Sequence, residues 1–210
     1  KVSAALLAFE KEQNPVDLEA EKNKLVNKLE SKFQALQAAI ESKDLEKIRE
    51  AYKKMNSTWT ANEGVVRDHS TAHYGKVETA ISFLRSAIET EPTDFEAIQT
   101  SYDDLRAAID SFVKGEEASA SSENLTLADG IGLLKKALLA FQKGDEKQGK
   151  AAMKKFITIW PSVEGDVSTK NPSLYTKVES QSPVIMVKGK DKEYQDQLAS
   201  LISELEQIDT

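Results

Sequence analysis

The sequence contains no cysteine, so disulfides and thiolate-held metals are excluded outright. Proline and glycine are scarce, at five and nine in 210 residues. Val and Ile do not cluster in alternating runs, and together these shortages argue against a sheet-rich fold. Positive charge is also in deficit. Against 35 Asp and Glu there are 28 Lys and Arg, a net charge of −7, and a phosphate backbone needs a basic face, so no nucleic-acid partner is expected. No apolar run approaches the ~20 residues that span a bilayer. The longest candidate, 131–141, is interrupted by Lys135 and Lys136. The chain opens on Lys1 without the charged-then-apolar layout of a signal peptide, and it reads as a mature or trimmed fragment.

What is present is helical periodicity along almost the whole chain. Leu25, Leu29, Phe33, Leu36 and Ile40 form one stripe, and Leu45, Ile48, Tyr52, Met55 and Trp59 a second. Val77, Ile81, Leu84 and Ile88 make a third, and Phe95, Ile98, Tyr102, Leu105, Ile109 and Phe112 a fourth. After a small, polar stretch, stripes resume at Ile131, Leu134, Leu138 and Phe141, at Met153, Phe156 and Trp160, and at Tyr194, Leu198, Leu201, Leu205 and Ile208. The expected class is all-α. Its divisions are an N-terminal helix in 1–15, a helical repeat in 16–114, a linker in 115–124 and a second repeat in 125–210. The segment 183–190 is compatible with loop, extended chain or helix.

The repeat follows from a shift of 101 residues, which places Trp59 on Trp160, the only two tryptophans. In the same register Glu63 falls on Glu164, Gly64 on Gly165, Val66 on Val167, Tyr74 on Tyr175, Lys76 on Lys177, Val77 on Val178 and Glu78 on Glu179. Eight identities in twenty positions, including rare residue types, make chance a poor explanation. The expected architecture is a duplicated helical bundle of two four-helix repeats plus the short N-terminal helix. Gly64 and Gly165 mark a helix stop. Ser70 and Asn171 are good N-caps for the next helix, with Pro172 at its first position. Each repeat then presents a Trp/Glu pair and a Tyr/Glu pair across a tight corner.

These residues carry a family likeness. The segments 160–167, WPSVEGDV, and 171–179, NPSLYTKVE, resemble the N-terminal extracytoplasmic region of Ftr/EfeU-type iron permeases of Gram-positive bacteria. So do 183–190 and 201–205, and the likeness is most specific over residues 125–210. It implies iron (Fe2+ or Fe3+) as the cargo, a place at the cell surface on the extracytoplasmic side, and a membrane permease part of the same polypeptide as partner. Extracytoplasmic iron-binding or iron-oxidising proteins are further partners it implies. The Arg-Glu-Gly-Leu-Glu-like motif of the family's first membrane helix is absent here, so no translocation residue carries over.

The repeated carboxylates Glu63, Glu78, Glu164 and Glu179 are the expected metal ligands, because helical bundles can converge several Glu oxygens on one cation. Trp59, Tyr74, Trp160 and Tyr175 are the aromatics expected to support that site. The competing reading makes each Glu a structural anchor, paired with Lys76 or Lys177 or bonded to an aromatic. The only histidines, His69 and His73, lie four apart, a spacing that suits a transition metal on a continuous helix, although a cap at Ser70 would make them diverge. The Glu-x-x-His pair of di-iron bundles is missing. Asp68-His69-Ser70 lacks the separated elements of a triad, and Gly130-Ile131-Gly132 is too short for a dinucleotide loop. The chain is therefore expected not to be an enzyme. It is expected to capture iron or pass it to the membrane part or, in the alternative, to dock a partner without touching metal.

Overall fold

The computed structural model describes residues 17–117 and 125–209, and among these the chain is all-α. The expected helix within 1–15 lies outside the described residues, as does 118–124 of the linker. The first half contains α1 (Leu18–Glu41), α2 (Leu45–Thr60), the one-turn α3 (Gly64–Arg67), α4 (Thr71–Glu89) and α5 (Phe95–Lys114). The second contains α6 (Leu127–Gln142), α7 (Glu146–Val163), the short α8 (Gly165–Lys170), α9 (Pro172–Lys188) and α10 (Lys192–Glu206). Among the described residues each half therefore has four long helices, with a short corner helix that the periodicity did not resolve.

Side-chain caps decide where the long helices begin. Asp44 accepts from the Lys47 amide and Asp145 from the Gln148 amide, opening α2 and α7. Ser70 accepts from the His73 amide and Asn171 from the Leu174 amide, opening α4 and α9, with Pro172 at the first position of α9. Each bond satisfies an amide that the helix itself cannot. The expectation for Gly64 and Gly165 is half met: α7 ends at Val163, one residue short of Gly165, and α2 at Thr60, a turn short of Gly64, but each glycine then starts a corner helix. The segment 183–190 is helical through Lys188, with Pro183 inside α9.

Burial divides along the same lines. One apolar core gathers Leu25, Phe33, Leu36, Ile48, Trp59, Leu84 and Phe112 from the first half. A second gathers Leu134, Phe156, Trp160, Val178, Leu198 and Leu201 from the other. Gly149 and Gly189 grip the Phe141 ring, and a Cβ on either would come within 2.4 Å of it. The halves join where α4 packs on α7 and α9. Tyr74 meets Tyr175 near the starts of α4 and α9, and the Ser86 hydroxyl donates to the Pro183 carbonyl (3.1 Å) farther along. The two helices thus run side by side in the same direction. No helix among the described residues is long and apolar enough to cross a membrane.

Candidate functional site: a buried acidic seam

Tyr74 and Glu78 lie one turn apart on α4, and Tyr175 and Glu179 lie one turn apart on α9, so the parallel packing of these helices brings both pairs to one seam. The corner after α7 delivers Glu164 to the same place. The Tyr74 hydroxyl donates to Glu164 Oε1 at 2.7 Å, a bond between halves, and its oxygen lies 3.2 Å from that of Tyr175. The Trp59 indole N–H donates to Glu78 Oε1 at 2.5 Å, reaching across the corner to α4 instead of to Glu63 on its own side.

The second half is less well satisfied. Trp160 bears on the Glu179 carboxyl, yet Trp160 Nε1 and Glu179 Oε1 are both buried without a partner of hydrogen-bond geometry. Glu164, only 5% exposed, also has a buried and unpartnered oxygen, Oε2. Ionised, that oxygen is an anion's acceptor without a donor; protonated, it is a donor without an acceptor. Either state leaves a polar group unmet, at a cost of ~1–3 kcal/mol.

The electrostatics follow from burial and crowding. Desolvation pushes the Glu164 carboxyl up to about 8, helped by the charges of Glu78 and Glu63 and opposed by the Tyr74 hydrogen bond. Glu78 and Glu179 are raised chiefly by desolvation, and Glu179 is the largest like charge acting on Glu78. Both phenols are also pushed well above the ordinary tyrosine range, again mainly by burial. No ion pair involves Glu78, Glu164 or Glu179 among the described residues. Glu63 differs, because Arg67 pairs with it at 3.5 Å, although burial still raises its carboxyl.

That difference has a legible origin. Arg67 stands where the second half has Ser168, so the corner that holds Glu63 carries its own counter-charge and the corner that holds Glu164 does not. Arg67 also lies over the Tyr74 ring, 5.8 Å from its centre, and acts on Glu78 and Glu164 from there. The lysines expected as neutralisers do not serve. Lys177 pairs with Glu204, and Lys76 forms no ion pair within the described residues.

Between Glu78 and Glu179 lies a cavity of about 10 Å³, with Ser82, Ser182 and Trp160 also on its wall. It has room for roughly the centre of one water-sized sphere. Ser182 is 3% exposed and its hydroxyl has no partner among the described residues. Periodicity gave no reason to single out Ser182 or Arg67; their one signal was a position one turn beyond a repeated Glu.

The histidines stand apart from the seam. Ser70 and Ser111 hydroxyls occupy the two ring nitrogens of His73, at 2.8 and 3.3 Å, and burial lowers its pKa. His69 is exposed, with Nδ1 2.7 Å from the Val65 carbonyl. The Ser70 cap separates them: His69 precedes it and His73 follows it. Among the described residues no group of three or more His, Asp or Glu is arranged to hold a metal as it stands. No protein-family model, no curated protein and no solved structure matches the chain.

Proposed function

We propose that this chain is the extracytoplasmic domain of an Ftr/EfeU-type iron permease, and that it captures an iron cation at the acidic seam for delivery to a membrane part of the same polypeptide. The observation that carries the reading is that Glu78, Glu164 and Glu179 from both halves share the seam, the first two buried and the third half-buried. None of them is in an ion pair among the described residues, and Glu164 Oε2 and Glu179 Oε1 are unpartnered there. A buried anion without a partner is costly, and such groups either keep a proton or hold a cation. Ion entry then exchanges protons for metal, with small rotations drawing the carboxylates closer than they stand in the free chain. Duplication of one ancestral bundle accounts for the matched donors. Glu63, neutralised by Arg67, has a positioning part in this scheme, and the histidines have none.

A second reading, docking of a partner without metal, draws on the open groove of about 830 Å³ along α4, α5 and α7, whose wall includes Thr71, Gly75, Thr79, Ala108, Thr158 and Pro161. Calorimetric titration of the chain at pH 8 with anaerobic ferrous iron and with ferric nitrilotriacetate separates the two. Capture predicts saturable binding of one of these, weakened at least ~10–100-fold in Glu164→Gln/Glu179→Gln. Absence of saturable heat with either ion removes the capture reading.

A further inference from the structure

The seam offers a cation only oxygen: two phenols and the carboxyls around them, with both imidazoles engaged elsewhere. All-oxygen, anionic donor sets favour hard ions over the softer ones that imidazole or thiolate would select. We propose that Tyr74, Tyr175 and Glu164 form a three-oxygen ligand set for a hard trivalent cation, so that the iron taken at this seam is ferric. The proposal rests on the capture reading and adds the oxidation state and two ligands to it.

The geometry is already close. Two neighbouring oxygens on an octahedral ion with bonds of about 2 Å lie about 3 Å apart. The Tyr74 oxygen has Glu164 Oε1 at 2.7 Å and the Tyr175 oxygen at 3.2 Å, which bracket that edge length. Glu164 is more than nine-tenths buried, and its Oε2 has no hydrogen-bond partner among the described residues, so that oxygen keeps its bonding capacity for a cation. Tyr175 also bears on Glu179 of its own half, whereas the Tyr74 hydroxyl bonds only groups of the other half among the described residues. A phenylalanine at position 74 would keep the ring and lose both contacts with the other half. On binding, each phenol O–H breaks as an O–Fe bond forms, and Glu164 likewise gives up its proton. Three protons leave to solvent, three anionic oxygens neutralise a 3+ ion, and no electron moves.

Addition of ferric nitrilotriacetate to the whole chain, followed by visible absorbance, tests this. Phenolate-to-iron charge transfer colours such a site, whereas carboxylate ligation leaves it nearly colourless. We expect a saturable visible band, absent with anaerobic ferrous iron and bleached by competing gallium(III). In Tyr175→Phe the band weakens and apparent ferric affinity falls at least ~10–100-fold, with circular dichroism unchanged. Should that variant unfold, phenolate vibrations in the resonance Raman spectrum of the unaltered chain decide the same question. Saturable ferric binding without a visible band, or a band that survives Tyr74→Phe and Tyr175→Phe alike, overturns the proposal and leaves carboxylate capture standing. No binding of either ion removes both.

Discussion

Three carboxyls that resist ionisation make the seam an acid-stable joint. Each of Glu78, Glu164 and Glu179 is raised in the folded chain above its ordinary 4.5. The folded state therefore holds more protons than the unfolded one between that value and about 8, and stability falls as pH rises through the window. His73 works the other way: burial lowers it below 6.5, so protonation in the unfolded chain erodes stability as pH falls beneath that value. The melting temperature should be highest in mildly acidic buffer and decline toward pH 8. Glu78→Gln/Glu179→Gln keeps the shape and the acceptor for the Trp59 N–H but abolishes two of the three titrations. We expect this variant to lose much of the alkaline decline while the acid-side fall persists, as read by thermal melts across roughly pH 5–9. An undiminished alkaline slope would show that other groups set it.

At the level of the element, the helix ends of the two halves recur at the 101-residue spacing even where the residues differ. Lys43 and Gly144 both have positive φ, 52° and 77°, in the turn that leads to the Asp44 and Asp145 caps. Only glycine occupies that region without steric cost, which for other L-residues is ~1–2 kcal/mol. Lys43→Gly should therefore stabilise the chain by a few tenths to about 1 kcal/mol, and Gly144→Lys should destabilise it by a comparable amount, both measurable in urea melts. The caps, the stripes and the paired Glu and Tyr positions were legible in the sequence, because each is a local pattern with its own period. What was not legible has a common cause. The Trp59–Glu78 and Tyr74–Glu164 bonds join residues 19 and 90 positions apart, and no periodicity encodes which of two matched acids an aromatic will reach. Pro183 left 183–190 undecided between loop, extended chain and helix, because proline is costly within helices, yet α9 passes through it.

For the whole molecule, two cores that each look self-sufficient are tied by a seam that neither half can complete. Among the described residues Glu164 draws its only hydroxyl donor, Tyr74, from the other half, and α4 is shared ground, since Phe83 on it packs against the second core. Separating the halves would expose apolar flanks of α4 and α9 and strip Glu164 of its partner, so opening one side penalises the other. Cooperative unfolding across both halves is the consequence. Leu36 is fully buried in the first core, far in sequence from the second, and its replacement by Ala should cost ~2–5 kcal/mol. Hydrogen exchange followed by mass spectrometry should then show faster opening in α6 and α10 as well as in α1 and α2, because the most protected amides of all four exchange through one global event. Acceleration confined to α1–α5 would mean that the seam transmits no stability between the halves. In that case donors from opposite halves would not be held in register, and the seam could not present them to a cation as one site.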